Sequence, residues 1–172
     1  MISTHINWYA IYTRPHHEKR IFERLKEAHV EAYLPLRTTL KQWSDRKKKV
    51  SEPLFSCYLF VRINTRDYFK VLNTPGVVRY ITFEGKAVPI PDSQIQLIKK
   101  LLEFEPEPLE NSVILHPGDQ VEIIAGPLLG IQGEMIEFSG KKRIIIRIRE
   151  IDKSLLVNIP SNLLKPLPNR YS

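Results

Sequence analysis

A single cysteine, Cys57, in 172 residues excludes an intramolecular disulfide and leaves no multi-cysteine framework for a metal. Nor does any run approach the roughly 18 consecutive apolar residues expected of a membrane-spanning helix. The start, Met1-Ile2-Ser3-Thr4-His5, lacks a basic stretch leading into an apolar core, so no signal peptide is expected. These absences lead us to expect a cytoplasmic protein. No phosphate-binding glycine loop and no nucleophile-bearing motif occurs, which argues against catalysis. Adjacent His16 and His17 point to different sides of a helix, and no complementary Cys/His cluster accompanies them. The expectation is a binding protein without metal or cofactor.

Basic charge is present in excess. Net charge is +7, and its distribution is uneven. Residues 1–102 carry +9, the segment 103–112 carries −4 and residues 113–172 carry +2. An acidic segment holding Pro106 and Pro108 between patterned flanks reads as a linker. The chain is therefore expected to hold two small domains, 1–102 and 113–172, joined by 103–112. A basic first domain points toward an acidic partner such as nucleic acid.

Within the first domain, Trp8–Tyr12 reads as a strand and Pro15 leads into a helix over about 16–29. Ile21, Phe22, Leu25 and Ala28 share one face of that helix. His16, Arg20 and Arg24 recur every fourth residue, a row suited either to solvent or to a phosphate backbone. Glu31–Leu36 is the next strand, and the four cations Arg46–Lys49 suggest an exposed hairpin tip. From Cys57 to Ile63, alternation sets Cys57, Leu59, Val61 and Ile63 against Tyr58, Phe60 and Arg62. The second face is core if covered and a docking patch if open. Asp67–Asn73 predicts a short helix with Phe69 and Leu72 inward, Val77–Phe83 a strand, and Pro91-Asp92-Ser93 the start of a helix. This alternation predicts an α+β protein whose first domain is an α/β sandwich, helices on a mainly antiparallel sheet.

After Val113 the pattern changes to short β segments, at Gln120–Ile124, Gln132–Phe138, Arg143–Ile148 and Leu155–Ile159, with a turn at Ser139-Gly140. About five strands in so short a stretch predict a small β-barrel. The segment Gly126-Pro127-Leu128-Leu129-Gly130-Ile131-Gln132-Gly133 resembles a KOW motif. Gly126 and Gly130 suit a turn with positive φ, and Gly133 suits close backbone approach.

Trp8–Tyr12, then Ser51–Val61, then Thr74–Tyr80, followed by the acidic segment and the KOW-like run, resemble the NusG family over about residues 7–167. The wording of Ser51–Val61 is similar to that of the specialised antiterminators of the RfaH and UpxY kind. Where the family often has Phe-Pro-Gly-Tyr, this chain has Phe55-Ser56-Cys57-Tyr58. The resemblance implies an N-terminal domain followed by an SH3-like KOW barrel. It further implies a monomeric elongation or antitermination factor, free of membrane, that docks on the RNA polymerase clamp helices through Tyr12, Phe55, Tyr58 and Phe60. Arg14, His16, Arg20, Arg24 and Arg79 are the implied contacts to the non-template DNA strand. The barrel, with Ile151 at a contact position, would recruit ribosomal protein S10 or Rho. The family's contact to the second polymerase jaw has no counterpart in Arg66-Asp67-Tyr68-Phe69. The high β propensity of Ile144-Ile145-Ile146 predicts that the second domain stays a barrel. A ribosomal or RNA-binding KOW protein is the rival reading, and it leaves the first hundred residues without a role.

Overall fold

The computed structural model describes residues 5–42, 46–103, 115–138, 141–148 and 153–168. It divides into two compact units, Met1–Gln96 and Leu97–Ser172. Most of the acidic segment, the Ser139-Gly140 turn and Ile151 lie outside the described residues.

In the first unit, strands β1 (Asn7–Thr13), β2 (Glu31–Tyr33), β5 (Tyr58–Ile63) and β6 (Val77–Tyr80) form an antiparallel sheet in the order β2-β5-β1-β6. A short strand, β9 (Pro89–Ile90), also pairs with β1. Helices α1 (Glu18–Glu27) and α2 (Tyr68–Leu72) supply residues to the core on one face. That core gathers Ile11, Leu59, Val61 and Ile63 from the central strands, Ile21 and Leu25 from α1, and Val71 from α2. The alternation of β1 and β5 requires this arrangement, because every second side chain projects to the same face. Antiparallel strands β3 (Leu36–Gln42) and β4 (Lys47–Pro53) form a separate two-stranded ribbon. A smaller hairpin joins β7 (Thr82–Phe83) and β8 (Lys86–Ala87).

Three expectations change at this level. The first helix begins at Glu18 rather than near His16, because His17 N–H closes a turn onto the Arg14 carbonyl at 3.2 Å. His16 consequently lies outside the helix, with φ 63°, and does not continue the Arg20–Arg24 row. In α2 the buried residue is Val71, while Phe69 is 67% exposed, so Phe69 does not point inward. Val71 takes the inward position instead, and Leu72, as expected, packs partly buried against the same core together with Tyr68. The strand expected over Val77–Phe83 is interrupted at Ile81, whose N–H instead reaches the Ala10 carbonyl at 2.9 Å.

The helix foreseen after Pro91 is α3 (Asp92–Glu103), and the division between the units falls within it. In the second unit, β10 (Gln120–Ile123), β11 (Gln132–Phe138), β12 (Lys141–Ile148), β13 (Lys153–Val157) and β14 (Leu164–Pro166) form an antiparallel sheet in the order β13-β12-β11-β10-β14. Val121, Ile123, Met135, Ile144, Ile146 and Leu164 from these strands, with Leu115 and Leu128, build its core. Lys141–Ile148 is paired strand throughout its length, as the β-branched run predicts. Gly126 and Gly130 both have positive φ, 82° and 81°, in the turn that returns the chain from β10 to β11. Gly133 serves a different need: a Cβ there would run into the Ile144 side chain and sit 2.7 Å from the Ile145 carbonyl oxygen. Pro127 is exposed between the two turn glycines.

Candidate macromolecule-binding face of the first unit

The sheet face opposite the α1–α2 core is built from the remaining residues of β1 and β5. Pairing aligns Tyr12 with Tyr58 on one side and with Arg79 on the other. A continuous row thus crosses three strands: Tyr58 on β5, Tyr12 on β1, Arg79 on β6. The two tyrosine rings meet edge to face with centroids 5.6 Å apart. The Arg79 guanidinium lies 5.6 Å from the Tyr12 ring centroid, on the side where the ring's π-cloud attracts a cation. Both tyrosines are partly exposed, and Arg79 is exposed.

Phe60 and Phe55 occupy a different layer. Phe60 is 0% exposed and Phe55 5%. Phe55 packs edge-on against Phe60, and Tyr33 of β2 stacks on it, with centroids 6.3 Å from Phe60 in each case. The four aromatic residues grouped by the sequence therefore separate into two accessible rings, Tyr12 and Tyr58, and two buried ones, Phe55 and Phe60. Tyr33 is an addition that strand alternation alone does not single out, because β2 is only three residues long.

The segment before β5 is held by Glu18. Its Oε1 accepts the Cys57 backbone N–H at 2.7 Å, although Glu18 itself is buried. Cys57 has φ 66°, a conformation natural to glycine and strained for other L-residues. The Glu18 carboxylate thus anchors the backbone at the strained position of Phe55-Ser56-Cys57-Tyr58. The Cys57 side chain, as the leading cause, pushes the Tyr12 phenol's pKa above its ordinary value. Arg79 acts in the opposite direction. On the other face, burial pushes the Tyr80 phenol well above the ordinary range, helped by neighbouring Tyr68. Tyr80 donates to the Tyr68 carbonyl at 3.0 Å while their rings stack at 4.3 Å.

The basic candidates also separate. Arg14 and Arg20 are exposed, and the Arg14 N–H binds the Gly76 carbonyl at 2.9 Å. That bond brings the start of the loop after β1 beside the turn preceding β6. Arg24 is committed to structure: its guanidinium donates to the Pro75 carbonyl at 2.8 Å. Gly76, with φ 104°, lies under Ile21, where a Cβ would stand 2.9 Å from Cδ1. Arg79 therefore borders the exposed aromatic rings, Arg14 lies exposed at the loop joined by its backbone to the Gly76 turn, and Arg24 fastens that turn. His16 is exposed in its left-handed loop position. Among the described residues, no group of three or more His, Cys, Asp or Glu is arranged to hold a metal ion. No helix among them is long and apolar enough to cross a membrane.

Comparison with known proteins places this geometry. The family described as "Transcription termination factor nusG" matches residues 6–99, more than half of the chain. The transcription termination/antitermination protein NusG of Streptococcus pyogenes serotype M3 is 23% identical over 150 residues, 78% of this chain and 82% of the relative. The serotype M1 protein matches equally. A solved structure, "Domain interaction in Thermotoga maritima NusG", is similar over 95% of this chain and 98% of that one, with TM-score 0.65 and 23% identity. That likeness supports the α/β sandwich followed by the SH3-like KOW barrel. The family match falls on the first unit, the part to which the rival ribosomal-type reading assigns no role. These non-enzymatic factors act in transcription termination and antitermination, and the chain belongs to the NusG family.

Proposed function

We propose that this protein is a specialised antitermination factor of the RfaH and UpxY kind, docking on the clamp helices of RNA polymerase through its first domain. The observation that carries the reading is the row Tyr58–Tyr12–Arg79 across three strands. Two rigid, partly exposed rings offer large contact area at low entropic cost, and an adjacent guanidinium suits an acidic or phosphate group. Phe55 and Phe60, buried and packed edge to face on one another, support the sheet that carries the rings.

Suppressing pauses requires no chemistry. A factor that binds the elongating state of polymerase more tightly than the paused state shifts the equilibrium by the ratio of the two affinities. Arg14 and Arg79 are the leading contacts to the exposed non-template strand, with His16 and Arg20 as outlying ones. Arg24 contributes by securing the Pro75-Gly76 turn. The KOW domain, including Ile151, recruits the further partner, ribosomal protein or Rho, and restricted target operons give the factor its specificity.

The deciding experiment is reconstituted transcription on a template with a pause and a terminator, using full-length protein. Polymerase binding with reduced pausing or increased readthrough supports the reading. Absence of both overturns it.

A further inference from the structure

We propose that the β3–β4 ribbon is a second nucleic-acid-binding element, one that inserts into the major groove of duplex DNA, distinct from the Tyr58–Tyr12–Arg79 row. The ribbon pairs Leu36–Gln42 with Lys47–Pro53 over seven residue pairs and belongs to no larger sheet. At about 3.4 Å per residue it extends roughly 20 Å. Its base is anchored, since Leu54 N–H binds the Pro35 carbonyl at 2.8 Å and Lys19 Nζ donates to the Ser51 carbonyl at 2.6 Å.

The distribution of cations sets this ribbon apart from an ordinary solvated surface. Register places Lys41 directly across from Lys48 on one face, with Arg37 further along that face. Lys47 and Lys49 occupy the other face, with Gln42 across from Lys47. Arg46, Lys47, Lys48 and Lys49 are all exposed. Lys41 is ion-paired with Glu52. Glu52 stands directly across from Arg37; among the described residues, no carboxylate forms an ion pair with Arg46, Lys47, Lys48 or Lys49. Like charges directly opposite on an antiparallel pair destabilise it, and a lone two-stranded hairpin has little stability to spare.

Cations on both faces fit a partner that surrounds the ribbon. A flat acidic protein surface meets one face only, whereas a groove presents phosphates on both walls. The B-form major groove, about 12 Å wide, admits a two-stranded β-ribbon. The major groove of A-form RNA is too narrow to do so.

Fluorescence anisotropy of full-length protein with a short fluorescein-labelled DNA duplex, titrated between about 50 and 200 mM salt, tests this. In the variant Lys47→Gln/Lys48→Gln/Lys49→Gln, duplex affinity should fall about tenfold or more at low salt. The slope of log affinity against log salt should become shallower by about two to three, at roughly 0.9 for each phosphate no longer neutralised. The variant Lys47→Arg/Lys48→Arg/Lys49→Arg should retain binding, and circular dichroism should show both variants folded. Removal of equal charge elsewhere, Lys26→Gln/Lys70→Gln/Lys86→Gln, should change duplex affinity less than about threefold if the ribbon is the binding element. Arg14→Ala/Arg79→Ala should leave duplex binding intact, which separates this element from the proposed single-strand contact. Equal loss in the charge-matched control would overturn the proposal. So would an unchanged affinity and slope in the triple glutamine variant. Equal binding of duplex RNA would refute groove insertion. Loss of poly-glutamate binding with duplex binding intact would assign the ribbon to an acidic protein and also overturn it.

Discussion

The Glu18 carboxylate, on the first residue of α1, accepts the backbone N–H of Cys57 at 2.7 Å, tying the helix start to the turn that launches β5. One buried oxygen thereby positions Tyr58, the next residue, and through it the aromatic row across the sheet. Glu18→Ala should leave the Cys57 N–H without a partner and cost about 1–3 kcal/mol. Glu18→Gln keeps an acceptor and should cost less. Urea unfolding followed by the fluorescence of Trp8 and Trp43 measures both. A Glu18→Ala variant as stable as the parent would show that the turn before β5 does not need this anchor.

Cys57 carries a backbone conformation that glycine adopts without strain. For another L-residue that conformation costs roughly 1–2 kcal/mol, partly offset by glycine's greater freedom in the unfolded chain. Cys57→Gly should therefore raise the unfolding midpoint slightly. It should also return the Tyr12 phenol toward its ordinary pKa, because the Cys57 side chain is the leading cause of the upward shift. Spectrophotometric titration near 295 nm, with Tyr12→Phe as the reference, identifies the phenol concerned.

Tyr80 predicts a loss of stability in alkali. Its phenol is raised by burial, so the folded state holds the proton more tightly than the unfolded state does. That contribution is complete below the unfolded pKa near 10 and is lost as pH climbs toward the folded value. Urea midpoints should be flat to about pH 9.5 and fall above it. In Tyr80→Phe the fall should be shallower, on a baseline lowered by about 1 kcal/mol from the missing hydrogen bond to Tyr68.

The KOW-like glycines should separate into two classes. Gly133→Ala drives a Cβ into Ile144 and the Ile145 carbonyl, which the paired strands cannot vacate, and should unfold the second unit. Gly126→Ala and Gly130→Ala meet open space and carry only the positive-φ penalty, about 1 kcal/mol each. NMR amide resonances from 115–168 report the second unit.

For the proposed polymerase contact, Tyr58→Ala should weaken binding by about 2 kcal/mol, roughly thirtyfold, as befits a central aromatic anchor. Arg14→Ala should leave docking on core polymerase nearly intact and reduce recruitment that depends on the DNA strand. Pull-down and pause assays measure the two effects separately. Equal losses in both assays for both variants would contradict the division of roles.

Alternation in β1 and β5, the Ile21–Leu25 stripe of α1, the helix after Pro91 and the β-branched run of β12 were all legible in the sequence. Each depends on local periodicity, which a single segment expresses without reference to the rest of the chain. The KOW-like glycines were legible too, for two distinct physical reasons that the backbone angles and the Gly133 contact bear out. The family wording was equally local. Tertiary structure decided which of the aromatic residues are accessible. Period-two alternation places Phe60 and Tyr58 on one face, yet Phe55, across the turn before β5, and Tyr33, from a separate strand, pack on Phe60 and leave Tyr58 partly open. Likewise, Arg20 and Arg24 look equivalent on a helix until the Pro75 carbonyl, 51 residues away, takes one of them. Burial and hydrogen-bond commitment are properties of pairs brought together by folding, so no one-dimensional pattern contains them.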